Sequence, residues 1–172
     1  MRAGIPIALA SLTPKAVEQT AEIADGWLPL FYHPAKSAEA WGDALAAGTA
    51  RRSPDLGPLD VIVTVPFHVG PGTELALQGH RERMALYVGG MGARSANFYN
   101  DLAVRYGYAD EAARVQELYL AGEKDAAAAA LPDDRERVAA FVESGVTTLM
   151  IAPLAPTRAG RIAAVEAARS ML

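Results

Sequence analysis

Apolar runs and helical stripes alternate along this chain. "GIPIALAS" (residues 4–11) is almost wholly apolar and is bounded by glycine and by Thr13-Pro14, the pattern of a strand buried on both faces of a parallel sheet. Thr13 is placed to cap a helix and Pro14 to start it, Val17, Ala21 and Ala24 share one face, and Asp25-Gly26 ends it. "GWLPLFYHP" predicts a second short strand that stops at Pro29, which cannot donate to a ladder, with residues 31–34 as a loop. A helix over 38–52 leads to "LDVIVTVPFHVG", the clearest strand, β-branched from Val61 to Val65. The rhythm then breaks. Residues 73–133 offer only helices, near 73–87, 95–106, 110–121 and 123–130, before a helix over 134–144, the strand "VTTLMIAP" and a last helix near 157–171.

This order predicts an α/β fold with a parallel sheet, interrupted by a helical segment. Parallel sheets with helical crossovers place ligands at the carboxyl ends of their strands. The loops to watch are therefore Ser11-Leu12-Thr13, Phe31-Tyr32-His33, Phe67-His68 and Ala152-Pro153. Four strands are too few to close a barrel, and an open four-stranded sheet exposes two edges. The pattern is that of half of a larger object.

Composition narrows the function classes. The chain has 172 residues, about half of them apolar, which suits one domain spanning 1–172. Sixteen basic against 20 acidic residues, with no run of like charge, leave no electrostatic footprint for nucleic acid. The absence of cysteine removes disulfides, thiolate nucleophiles and thiolate metal sites. No apolar run reaches the ~18 residues that span a bilayer, and the apolar stretch in "MRAGIPIALAS" is short for a signal peptide. The expectation is a soluble cytoplasmic protein without a membrane or nucleic-acid partner.

Two segments compete as anion sites. "YVGGMGARSANFYND" carries Gly89, Gly90 and Gly92, which can form a nest of N–H groups. The dinucleotide fingerprint needs GxGxxG directly after a strand, and here position 95 is Ser95 and the context is helical. The plainer reading is a joint between two helices, with Ser95 capping the second. "ASLTPKA" is better placed: it brings the hydroxyls of Ser11 and Thr13 and a helix N-terminus to the end of a strand. The competing reading is that Thr13 only caps the helix and Ser11 only packs.

His33 and His68 each follow a predicted strand, and both are candidates for acid/base work or for donation to an anionic substrate. His80 falls on a helix and is expected in solvent. No metal site is predicted, since there is no HxH or HxxxH spacing and Glu18 and Glu22 lie on a helix flank as ordinary solvated carboxylates. Trp27, Trp41, Phe98 and Tyr99 fit core packing, with Phe98 and Tyr99 open to an interface role.

"PIALASLTPKAVEQTAEIADGWLP", "WGDALAAGTARRSPDLGPLDVIV" and "ALYVGGMGARSANFYNDLAVRYGYADEAARVQELYLAG" closely resemble the C-terminal half of luciferase-like monooxygenase proteins, especially their F420-dependent oxidoreductases. The resemblance implies a TIM (β/α)8 barrel roughly twice this length, of which this chain carries strands five to eight, with 73–131 as a helical insertion after strand seven. It further implies that Ser11, Leu12 and Thr13 contact the cofactor phosphate, that His33 and His68 lie on the substrate side, and that the cofactor is coenzyme F420 or, alternatively, FMN.

Two departures accompany it. Strands one to four, which hold much of the ring pocket and the expected acid/base groups in such barrels, have no counterpart here. Between Leu131 and Val138, where relatives carry a longer segment with a "VG(T/P)P"-like turn, "LPDDRERVAA" passes straight through. Three readings follow: an F420-dependent oxidoreductase passing hydride between the deazaflavin and an organic substrate; an FMN-dependent monooxygenase of the same superfamily; or a non-catalytic half-barrel that acts by pairing. Association as a homodimer, or with a separate N-terminal half, would cover the open sheet edges.

Overall fold

The computed structural model describes residues 4–133 and 138–171. Among them four strands, β1 (Ala8–Ala10), β2 (Gly26–Leu28), β3 (Asp60–Phe67) and β4 (Thr148–Pro153), form one sheet in the order β1-β2-β3-β4. The first three are parallel, with Leu9 opposite Trp27 and Trp27 opposite Val61. β4 runs in the same sense: Thr147 N–H donates to Val61 O near one end and Leu154 N–H to Phe67 O near the other. Sequential parallel neighbours require crossovers, and α1 (Pro14–Ile23) and α2 (Ser37–Arg51) supply the first two.

The residues themselves dictate these elements. Pro14 sits in the first turn of α1, where its missing N–H costs nothing. β2 ends at Leu28, before Pro29, as the sequence predicts. Gly26 lies where a Cβ would press on Ala8, Asp60 O and Ile62 at once, each at 3.2 Å, so the three strands come together there most easily around a glycine. The beginnings of the strands are pinned by side chains: Asp25 accepts from Ile7 N–H at 2.7 Å, and Asp60 accepts from the hydroxyls of Thr147 and Thr148. Arg52 closes the end of α1, donating to Ala21 O and Ala24 O.

The chain divides into two compact units. Among the described residues, the first holds 4–65 with 138–152 and the second holds 66–133 with 153–171. In the first, α1 and α2 pack through Val17, Ala21, Ala40, Trp41 and Ala44, and Val63 meets Phe141 and Val146 beneath Tyr32. Gly48 lets the two helices touch, for a Cβ there would run into Glu18 O. α7 (Val138–Glu143) also belongs to this unit.

The second unit is built mainly from α3 (Thr73–Gly90), α4 (Phe98–Arg105), α5 (Ala109–Leu120) and α6 (Lys124–Ala129), and also holds α8 (Arg158–Ser170). Its core is Ala85, Val88, Ala112, Val115, Leu118, Ala127 and Ala128. The small residues of α3 explain the glycine cluster: Gly89 and Gly90 lie within the last turn of α3 and leave room for the Tyr119 side chain. Asn97, and not Ser95, caps α4. Its buried amide accepts from Tyr99 N–H and Asn100 N–H and donates to Tyr87 O and Val88 O, fixing the end of α3 to the start of α4. Ser95 is too early because it lies inside the small bridge that Ala93 and Ala96 close first.

Two expectations need correction. The first strand is shorter than 4–11 and is exposed along its length instead of buried on both faces, because it is an edge strand with a neighbour on one side only. Ile5 is 89% and Ile7 62% exposed. Phe98, for which core packing is the ordinary expectation, is 58% exposed and lies outside the core, which leaves the interface or pocket-wall reading open. The straight passage between Leu131 and Val138 and the first turn of the helix expected over 134–144 lie outside the described residues.

Candidate functional site

The first strand-to-helix loop, 11–13, leaves β1 at its carboxyl end and enters α1. Thr13 holds the N-cap position in an extended conformation (φ −75°, ψ 147°), yet its hydroxyl makes no capping bond. With Pro14 next, the first turn of α1 presents the N–H groups of Lys15 and Ala16, while Val17 N–H returns to Thr13 O at 2.9 Å.

The loop's carbonyls are turned inward by two indoles. Trp27 Nε1 on β2 donates to Ser11 O at 3.1 Å, and Trp41 Nε1 on α2 donates to Leu12 O at 2.8 Å. Both rings are buried, 0% and 1% exposed, and meet edge to face at 5.1 Å. In a trans peptide the C=O and the following N–H point in opposite directions. Pinning Ser11 O and Leu12 O inward therefore directs Leu12 N–H and Thr13 N–H away from the tryptophans. These two N–H groups lie on the outer side of the loop, next to a helix N-terminus and the Thr13 hydroxyl, an arrangement of the kind found in anion cradles.

Ser11 is differently engaged. Its Oγ lies 2.8 Å from Thr20 Oγ1, whose single proton goes to Ala16 O at 2.8 Å, so Ser11 is the donor of that pair. Its lone pairs remain, but donation to an outside anion would require the hydroxyl to leave Thr20.

The loop after β2 reaches the same tryptophan. Tyr32 stacks on Trp41 (6.2 Å, 11°), meets Trp27 edge-on at 6.3 Å, and donates to Ser144. Phe31 holds a left-handed backbone (φ 54°), a conformation that costs a non-glycine residue on the order of 1 kcal/mol. His33 follows, its carbonyl accepting from Lys36 N–H and Ser37 N–H at the start of α2. The first unit thus assembles Ser11, Leu12 and Thr13 with the loop of His33 around one aromatic cluster.

His68 belongs to the second unit. Its Nε2 donates to Pro71 O at 3.0 Å, and Nδ1 is buried and without a partner among the described residues. His80 differs from expectation: it is half-buried on α3, and burial, then Arg83 and Arg81, hold its imidazole below the ordinary range. Glu18 and Glu22 are not isolated on their helix flank. Both pair with Arg51, at 2.6 and 2.9 Å, and hydrogen bonds from Glu22 and then Glu18 raise that guanidinium above its usual value. Among the described residues no group of three or more His, Asp or Glu is arranged to hold a metal ion. Nor is any helix there long and apolar enough to cross a membrane.

Trp27 and Trp41 are the functional candidates that pattern reading missed, because periodicity marks a buried tryptophan as core and says nothing of where its N–H points.

The model of the family described as luciferase-like monooxygenase matches residues 1–148. The chain belongs to the luciferase-like monooxygenase family. Within that family's relatives, a protein of Mycobacterium tuberculosis that bears the name of a coenzyme F420-dependent oxidoreductase is 34% identical over 168 residues, which covers 88% of this chain and 48% of that protein. The chain therefore spans about half the length of the curated relative it matches. Among solved structures, the coenzyme F420 dependent tetrahydromethanopterin reductase from Methanopyrus kandleri superposes with a TM-score of 0.67 at 19% identity, over 94% of this chain and 49% of that one. That likeness is one of fold, an α/β architecture with a parallel sheet.

Proposed function

We propose that this luciferase-like chain is the cofactor-phosphate half of an F420-dependent oxidoreductase, with the 11–13 loop as its anion site. The observation that carries the reading is the loop itself: two successive carbonyls held inward, two N–H groups turned outward, and an unspent Thr13 hydroxyl at the mouth of α1. The relative named for coenzyme F420 supports the choice of cofactor. When bound, the deazaflavin supplies the carbon that gives or takes a hydride from an organic substrate. The chain's own part is to bind and orient: Leu12 and Thr13 hold the phosphate, Ser11 stiffens the loop through Thr20, and His33 and His68 stand on the substrate side as donors or proton carriers.

In this reading β1 to β4 are strands five to eight of a (β/α)8 barrel, and the helices of 73–131 are an insertion after the seventh. Groups completing the ring pocket then come from outside this chain. The exposed apolar side chains of the edge strands, Ile5 and Ile7 beside β1 and Met150 on β4, support a covering partner, either a half carrying the first four strands or a second copy of this chain. The same surface favours the second reading, a half-barrel that works by pairing.

Titration of the chain with F420 and with FMN tests the assignment. Preferential binding of F420 is expected, and preferential binding of FMN would transfer the reading to a flavin-dependent monooxygenase. Sedimentation at high concentration tests the pairing: association is expected, and a folded monomer throughout would remove it.

A further inference from the structure

We infer that Trp27 and Trp41 are positioning residues for the anion loop, acting through their indole N–H groups and not only through the area they bury. The inference rests on the phosphate reading of 11–13 above and adds to it which residues set the loop's donors.

An indole has one polar hydrogen, and a buried tryptophan ordinarily satisfies it at whatever acceptor lies nearest. Here the two tryptophans of the chain, one on a strand and one on a helix, spend that hydrogen on consecutive carbonyls of the same three-residue loop. Each bond decides the orientation of one peptide plane. With Ser11 O held by Trp27, the plane of the Leu12 amide is fixed; with Leu12 O held by Trp41, that of the Thr13 amide is fixed. An unheld loop would have to order two peptides on binding, which weakens binding by the entropy of that ordering.

The rings are themselves held. Trp41 is stacked on Tyr32 and crossed by Trp27, and Tyr32 is tied to Ser144. The clamp is rigid on its inner side and presents the 11–13 loop outward.

Inorganic phosphate is a suitable probe because it needs only the loop and no ring pocket. Its affinity is read from the amide resonances of Leu12 and Thr13 in the intact chain. Trp41→Phe and Trp27→Phe keep a packed ring and remove the N–H, and replacement of Trp41 by benzothienylalanine exchanges the N–H for sulfur at almost unchanged shape. Each change is expected to weaken phosphate binding about five-fold, the value of one neutral hydrogen bond, and to speed exchange of one loop amide, with the fold intact by circular dichroism. Unchanged affinity in the folded benzothienylalanine protein overturns the positioning role and leaves the phosphate site standing. Leu12 and Thr13 amides that ignore phosphate in the unaltered chain overturn the site, and the inference with it.

Discussion

The two units use buried polar groups in opposite ways. In the helical unit, Asn97 and Asn100 close the circuit: their amides take up Tyr87 O, Val88 O and Ala112 O and satisfy the N–H groups at the start of α4. At that joint the Asn97 amide has no hydrogen-bonding capacity to spare, and Gly89 and Gly90 leave room for Tyr119. In the strand-bearing unit the indoles of Trp27 and Trp41 satisfy carbonyls and so turn the corresponding N–H groups outward. A satisfied amide network of the Asn97 kind specifies a packing, whereas carbonyls held on one side set the direction of the peptide planes that carry them. Glycine content, which drew attention to the helical unit, reports the first kind.

Substitutions can break this contrast on either side. The largest effects on stability are expected from the glycines of close helix contact. Gly48→Val would drive a side chain into Glu18 O and Ala21, and Gly89→Val into Tyr119 and Val115 O, each costing about 3 kcal/mol by chemical denaturation. Gly90 meets only the Tyr119 ring, so Gly90→Ala should be rescued in a Tyr119→Ala background while Gly89→Val should not.

Asn97→Ala comes next. It removes a cap and takes one donor each from Tyr87 O and Val88 O, the latter keeping Asn100, with an expected loss of about 2 kcal/mol and no change in phosphate affinity. A loss of phosphate affinity in that variant would blur the division between the units. Thr13→Ala should do the reverse. An N-cap threonine is ordinarily worth ~1 kcal/mol, but this one makes no capping bond. The change should leave the melting temperature nearly untouched and lower anion affinity. A drop in melting temperature equal to that of an ordinary cap would return Thr13 to a structural role.

The smallest effect concerns pH. His80 has a folded pKa below its ordinary 6.5, through burial first and then Arg83 and Arg81. The folded chain resists the proton that the unfolded chain accepts. Stability is therefore full above about pH 6.5 and declines as pH falls below it toward the folded value. His80→Gln should flatten that part of the melting profile, and an unchanged slope would assign it to other groups.

Much of this architecture was legible in the chain. Periodicity placed the helices between β3 and β4 within a few residues, and proline fixed the end of β2 and the start of α1. It misplaced the cap of α4, since Ser95 and Asn97 are equally good cap residues and only the small bridge between Ala93 and Ala96 decides between them. It buried β1, because an apolar run reads the same whether its neighbour is present or not. The candidate anion loop 11–13 was visible as two hydroxyls before a proline. Its preparation was not, for the direction of an indole N–H depends on contacts between residues distant in sequence. Ser11 shows the same limit: its hydroxyl is committed to Thr20, nearly two turns into α1 from the loop.

We propose that 11–13 receives the phosphate of a deazaflavin cofactor. It is tested most directly by calorimetric titration of this chain with F420 and with its phosphate-free deazaflavin, repeated in Thr13→Ala. The account predicts tighter binding of F420 and a smaller difference between the two ligands in the variant. Equal affinities for both ligands, or a difference that Thr13→Ala leaves intact, would contradict it.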